Sequence, residues 1–63
     1  MNLYIARDKD GSLFLYSDEP YLNNDTFWVS GSNGTIRLRN DSFPKITFEN
    51  SPQEVELKLI NEL

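Results

Sequence analysis

Asp8, Asp10, Ser12 and Glu19 are the residues whose types and spacing come nearest to chemistry. They fall at the first, third, fifth and twelfth places of an EF-hand calcium loop, with Leu15 at the apolar eighth. The sixth place needs Gly for its sharp turn and holds Leu13 instead. The flanks should be helical, but Leu3-Tyr4-Ile5 and Leu13-Phe14-Leu15-Tyr16 read as strands. Asp8-Lys9-Asp10-Gly11 is therefore expected to be a hairpin tip, with no metal.

Other chemistry has less support. Asp8, Asp10, Asp18, Glu19, Asp25 and Glu54 could supply a carboxylate pair for glycoside hydrolysis, but nothing places two across a cleft. The chain has no His and no Cys. The serines thus lack an imidazole base, and zinc would lack its usual ligands. Gly11, Gly31 and Gly34 do not form a phosphate-cradling loop. The expectation is a protein that is not an enzyme and holds no cofactor. Asn33-Gly34-Thr35 and Asn40-Asp41-Ser42 match the glycosylation pattern, but without a secretory signal they read as chance.

Charge narrows the partners. Six Lys+Arg against ten Asp+Glu give a net charge of −4. Such a surface disfavours nucleic acid, whose binding rests on cationic contacts to phosphate. Arg37 and Arg39, two apart on one strand, read as a solvated strand face. The acids are too scattered to mimic nucleic acid. No run approaches the roughly 20 apolar residues of a membrane span, and no signal peptide is visible, so the expected location is the cytoplasm.

The remaining candidates are aromatic: Tyr4, Phe14, Tyr16, Tyr21 and Trp28. Tyr and Trp suit interfaces because a large apolar body carries a polar tip. The elements that position them start with a hairpin apolar on both sides. Leu3, Ile5, Leu13 and Leu15 share one side, and Tyr4, Ala6, Phe14 and Tyr16 the other. Asp8 opens the turn and Gly11 takes the positive φ of a three-residue loop with a bulge. That register sets Ile5 opposite Leu15, Ala6 opposite Phe14 and Tyr4 opposite Tyr16. The aromatic side is either roofed by the rest of the chain or left for a partner.

Beyond the hairpin, residues 17–25 read as a loop, with Tyr21 and Leu22 packed back onto the sheet. Residues 26–30 read as a third strand, Asn33-Gly34 as a hairpin turn, and residues 35–39 as a fourth strand. Phe43-Pro44 predicts an extended entry to a fifth strand over 45–49. The C-terminal segment conflicts with itself. Ser51-Pro52-Gln53-Glu54 has the form of a helix capping box, yet Val55-Glu56-Leu57-Lys58-Leu59 alternates as a strand does. The strand is preferred over a short helix, and residues 60–63 are expected to fray or close with one helical turn.

The inward set is then Leu3, Ile5, Leu13, Leu15, Phe27, Val29, Ile36, Leu38, Ile46, Phe48, Val55, Leu57 and Leu59. The expected fold is one all-β domain over residues 1–63. It is an antiparallel meander of five or six strands, curled into a sandwich or partly open barrel. A domain of 63 residues buries only about 60% of its unfolded surface, so a partner that covers apolar area matters to it.

The run Leu-Tyr-Ile-Ala-Arg-Asp-Lys-Asp-Gly-Ser-Leu-Phe-Leu-Tyr, a Pro-containing loop, a Trp-centred strand, Ile-Arg-Leu, Phe-Pro-x-Ile-Thr-Phe-Glu and Val-Glu-Leu-Lys-Leu together resemble a known group. It consists of small uncharacterised proteins of gut bacteria of the Bacteroides type, their phages and integrated elements. The resemblance spans nearly the whole chain and implies a phage or mobile-element accessory protein. It assigns no functional residue. The expected function is a small protein-interaction module whose partner is another protein or a second copy. The alternatives are an acidic inhibitor of a host nucleic-acid enzyme and a minor structural protein.

Overall fold

A computed structural model describes residues 2–31 and 34–58. The fold is all-β. Six strands run β1 Asn2–Arg7, β2 Leu13–Tyr16, β3 Tyr21–Asn23, β4 Phe27–Val29, β5 Thr35–Leu38 and β6 Gln53–Glu56. They form a four-stranded sheet in the order β5-β2-β1-β6 and a two-stranded sheet β3-β4, all pairs antiparallel. The sheets do not close into a barrel. No helix among the described residues is long and apolar enough to cross a membrane.

The first hairpin forms in the expected register, with Tyr4 opposite Tyr16, Ile5 opposite Leu15 and Ala6 opposite Phe14. The Asp8 amide donates to the Ser12 carbonyl (2.8 Å) and the Gly11 amide to the Asp8 carbonyl (3.0 Å). Gly11 has φ +98°, a value that costs a residue with a Cβ and is free for glycine.

Three expectations need correction. The segment 17–25 contains β3, which pairs with β4 across Asn24 and Asp25 at φ 53° and 58°. Positive φ at both central residues is the mark of a primed hairpin turn, and Asn and Asp tolerate it. Second, β5 does not pair with β4. It lies on β2, where Leu38 meets Leu13 and Ile36 meets Leu15, so like side chains share a face.

Third, residues 45–49 form no strand: turns at Lys45 and Glu49 flank irregular chain. Phe43 has φ +48°, so the expected extended entry before Pro44 is absent. The segment's backbone groups are taken up locally instead. The Asn50 side chain accepts from the Thr47 amide (2.8 Å) and donates to the Lys45 carbonyl (2.9 Å). Such bonds compete with a ladder.

The C-terminal segment resolves as the preferred strand, and the capping box nucleates no helix. Ser51-Pro52 is a cis peptide bond and residues 53–56 are strand, as the preferred reading had it. The strand stops at Glu56, short of Leu57. Leu59 and the tail 60–63 lie outside the described residues, as do Ser32 and Asn33 of the expected Asn33-Gly34 turn. Gly34 itself is needed for close approach, because a Cβ there would collide with the Ser17 side chain.

The core is small and two-sided. Ile5 and Leu13 are buried on the aliphatic side, Ala6 and Tyr16 on the aromatic side. On the aliphatic side Arg7 stands opposite Leu13. Its guanidinium gathers the chain beyond β5, donating to the carbonyls of Ile46 (2.6 Å), Gly11 (2.8 Å), Asn40 (2.9 Å), Ser42 (2.9 Å) and Phe43 (3.2 Å). A guanidinium has five N–H donors, and here each one has a carbonyl. Phe27, Ile36 and Leu57, expected to face inward, are exposed.

Candidate functional site

The structure brings three of the five aromatic candidates together. The Phe14 and Tyr16 rings lie 6.3 Å apart and tilted by 47°. The two-stranded sheet lies against this side of the hairpin. The Tyr16 hydroxyl donates to the Trp28 carbonyl (3.0 Å), and the Trp28 amide donates to the Asp8 carboxylate (2.8 Å). The Lys9 amide adds a bond to the Thr26 carbonyl (2.9 Å). A recess of about 340 Å3 remains between the sheets, lined by Asp8, Phe14, Tyr16, Phe27, Trp28, Val29, Ser30 and Thr35.

The aromatic side is thus roofed in part. Tyr16 is 2% exposed, while Tyr4, Phe14 and Trp28 are half-buried. Phe14 carries the Arg37 guanidinium 5.8 Å above its ring, a cation–π contact. Trp28 stacks obliquely on Phe48 at 6.3 Å, and its buried indole N–H has no hydrogen-bond partner among the described residues. Tyr21 stands apart at 60% exposure.

Electrostatics follow the burial. Desolvation, helped by the Asp8 charge, pushes the Tyr16 hydroxyl up to about 12. Desolvation also raises Asp8; the Trp28 amide opposes this and the Asp10 charge reinforces it. Asp10 is held low by its bonds to Ser12. The two carboxylates of the hairpin tip therefore act as backbone acceptors, Asp8 for Trp28 and Asp10 for the Ser12 amide at 2.9 Å. That matches the hairpin-tip reading of this segment.

The opposite side of the four-stranded sheet was missed as a candidate surface. It holds an apolar groove of about 330 Å3 lined by Leu3, Ile5, Leu15, Leu38, Phe43, Val55, Glu56 and Leu57. Ile36, Phe43 and Leu57 on or around it are 58%, 54% and 57% exposed. Its available signal was the alternation Ile36/Leu38 and Val55/Leu57 itself. That alternation marks an apolar face without saying whether anything covers it.

A scan against family models, a search of curated proteins and a search of solved structures each returned no match to the chain. The functional reading rests on the geometry of the molecule.

Proposed function

We propose that this chain is a small non-enzymatic protein-interaction module, a cytoplasmic accessory protein that works by covering apolar surface with a partner. The observation that carries the reading is the aliphatic face of the four-stranded sheet that the described residues leave uncovered, with Ile36, Phe43 and Leu57 each more than half exposed. Single exposed apolar residues are ordinary, but a contiguous apolar groove on a small domain marks a contact surface. Burying it is worth roughly 25 cal/mol per Å2, and a partner that binds only the folded form stabilises it by mass action. The absence of cysteine fits a reducing compartment.

The test is selection of extended apolar peptides from a displayed library, followed by affinity measurement against wild type and the variant Ile36→Ser/Leu57→Ser. Both substituted residues are exposed, so the far-ultraviolet circular dichroism should be unchanged. The reading predicts peptides that bind wild type and lose at least about tenfold in affinity on the variant. Absence of any binder, or binders indifferent to the substitution, would overturn it.

A further inference from the structure

The two free edges of the four-stranded sheet are complementary to each other. Sheet order leaves β5 and β6 without an outer neighbour among the described residues. Three successive antiparallel pairings make β5 run opposite to β6. A second copy placed beside the first by translation therefore meets it antiparallel.

The backbone groups on the edges can be assigned. The Ser17 amide donates to the Gly34 carbonyl (3.2 Å), so Gly34, Ile36 and Leu38 address β2, and Thr35 and Arg37 turn their N–H and C=O outward. On the other flank the Asp8 amide turns toward Ser12, and the Arg7 amide reaches Ser51 Oγ just before β6. Leu3 and Ile5 thus address β6 through Val55 and Gln53, leaving Glu54 and Glu56 pointing outward.

One register brings two opposite-charge pairs and two apolar pairs together along these edges. It sets Arg37 opposite Glu56 as the hydrogen-bonded pair and brings the Arg39 side chain beside Glu54, with Ile36 opposite Leu57 and Leu38 opposite Val55; the Arg39 carbonyl itself is taken by the Ser42 amide (3.0 Å). The faces agree as well. Ile36, Leu38 and Val55 lie on the aliphatic side by their ladder partners, and Leu57 lines the apolar groove of that side with Leu3 and Val55. Arg37, Glu54 and Glu56 lie on the aromatic side with Phe14, Tyr4 and Asn2. Sliding by two residues one way keeps Arg37 opposite an acid, Glu54, but sets Leu38 opposite the polar Gln53 and Arg39 opposite Pro52, which has no N–H; sliding the other way puts Arg37 opposite Lys58. Pairing β5 with another β5 sets Arg37 against Arg37 or leaves it opposite Thr35 with no acid, and pairing β6 with another β6 sets Glu54 against Glu54 or Glu56. Like charges directly opposite are destabilising.

We propose that the chain assembles with copies of itself, β5 of one molecule joining β6 of the next in this register. The proposal rests on the protein-interaction reading and names its partner. The contact is heterologous, so each addition leaves a fresh pair of edges and growth is open, head to tail. Its apolar pairs prolong the aliphatic face from one molecule to the next. The ionic contacts it displaces are weak surface pairs: Arg39–Asp41 at 2.9 Å and Lys58–Glu56 at 3.6 Å, all four side chains at least 60% exposed.

The experiment is sedimentation across a concentration series for wild type, for Arg37→Glu/Arg39→Glu, for Glu54→Arg/Glu56→Arg, and for an equal mixture of the two variants. The first variant has two acidic edges and the second two basic ones. Wild type should gain mass with concentration, each variant alone should remain monomeric, and the mixture should regain the wild-type mass. Circular dichroism checks that both variants are folded; Arg37→Gln/Arg39→Gln serves if charge reversal unfolds the chain, and it should weaken association at least tenfold. A wild type that stays monomeric throughout, or variants that associate as wild type does, would overturn the edge pairing. Peptide capture by the aliphatic face persisting in a monomeric wild type would sink this proposal alone. Loss of both would sink the interaction reading too.

Discussion

The Tyr16 hydroxyl donates to the Trp28 backbone carbonyl at 3.0 Å, while the Trp28 amide on the same residue is held by Asp8 at 2.8 Å. Two side chains from the first hairpin thus grip one peptide segment of the second sheet. The grip docks β4, a three-residue strand, which could not hold its place by ladder bonds alone.

Tyr16→Phe keeps the ring and removes the donor. The Trp28 carbonyl then loses its partner, and unfolding free energy should fall by about 1 to 1.5 kcal/mol. For a domain of this size that is a drop of roughly 4–12 °C in Tm, read by thermal melts. Alkali should act on the same bond. The hydroxyl is raised to about 12 against an ordinary value near 10, so the folded state retains a proton that the unfolded chain gives up. Stability should fall as pH rises from about 10 toward 12, and Tyr16→Phe should remove that part of the loss.

Asp8→Asn keeps an oxygen facing the Trp28 amide and removes the half-buried charge. The Asp8 carboxyl is raised, first by desolvation, so the folded form binds its proton more tightly than the unfolded chain. Its ionisation therefore costs stability as pH climbs through the range above about 4. At pH 7 the Asn variant should equal wild type in stability or exceed it. The gap should close on acidification, as urea melts at both pH values would show. A variant clearly less stable at pH 7 would mean that the charged acceptor outweighs its desolvation.

Arg7→Lys should be costly although it preserves the charge. An ammonium has three donors at one point, and a guanidinium has five in a planar fork. The carbonyls of Gly11, Asn40, Ser42, Phe43 and Ile46 cannot all be reached from one nitrogen. A loss of about 2 to 3 kcal/mol is expected. Amide hydrogen exchange should rise first over residues 40–46, before the β1–β2 ladder opens.

Phe43 sits at φ +48° with its side chain 54% exposed. A bulky residue there pays roughly 1 kcal/mol or more in backbone strain. Phe43→Gly relieves that strain, whereas Phe43→Ala retains it with the same loss of side-chain contact. The glycine variant should be the more stable of the two by about 1 kcal/mol in denaturant melts. Both should weaken peptide binding in the aliphatic groove.

Much of the first hairpin was legible because its information is local. The period-two alternation sorted Leu3, Ile5, Leu13 and Leu15 from Tyr4, Ala6, Phe14 and Tyr16, and Asp8-Lys9-Asp10-Gly11 set the loop length and thereby the register. The β3–β4 turn was equally local, but Asn24 and Asp25 read as generic loop formers until their positive φ values were seen. Residues 45–49 misled for the opposite reason. Ile46 and Phe48 alternate as a strand would, while Asn50 and Arg7 claim the backbone groups a ladder would need.

The candidate site divides the same way. By itself the sequence determined an all-β chain, a two-sided hairpin, its aromatic side and the alternating apolar faces of β5 and β6, since each follows from residue type and spacing along a few neighbours. Only the tertiary structure decided which face is covered. The β3–β4 unit docks on the aromatic side through Tyr16 and Asp8, and the Arg7 carbonyl cluster holds the 40–46 segment at one end of the aliphatic side. Ile36, Phe43 and Leu57 are left open. Those contacts join residues 12 to 39 positions apart, and no local pattern encodes where such distant groups meet.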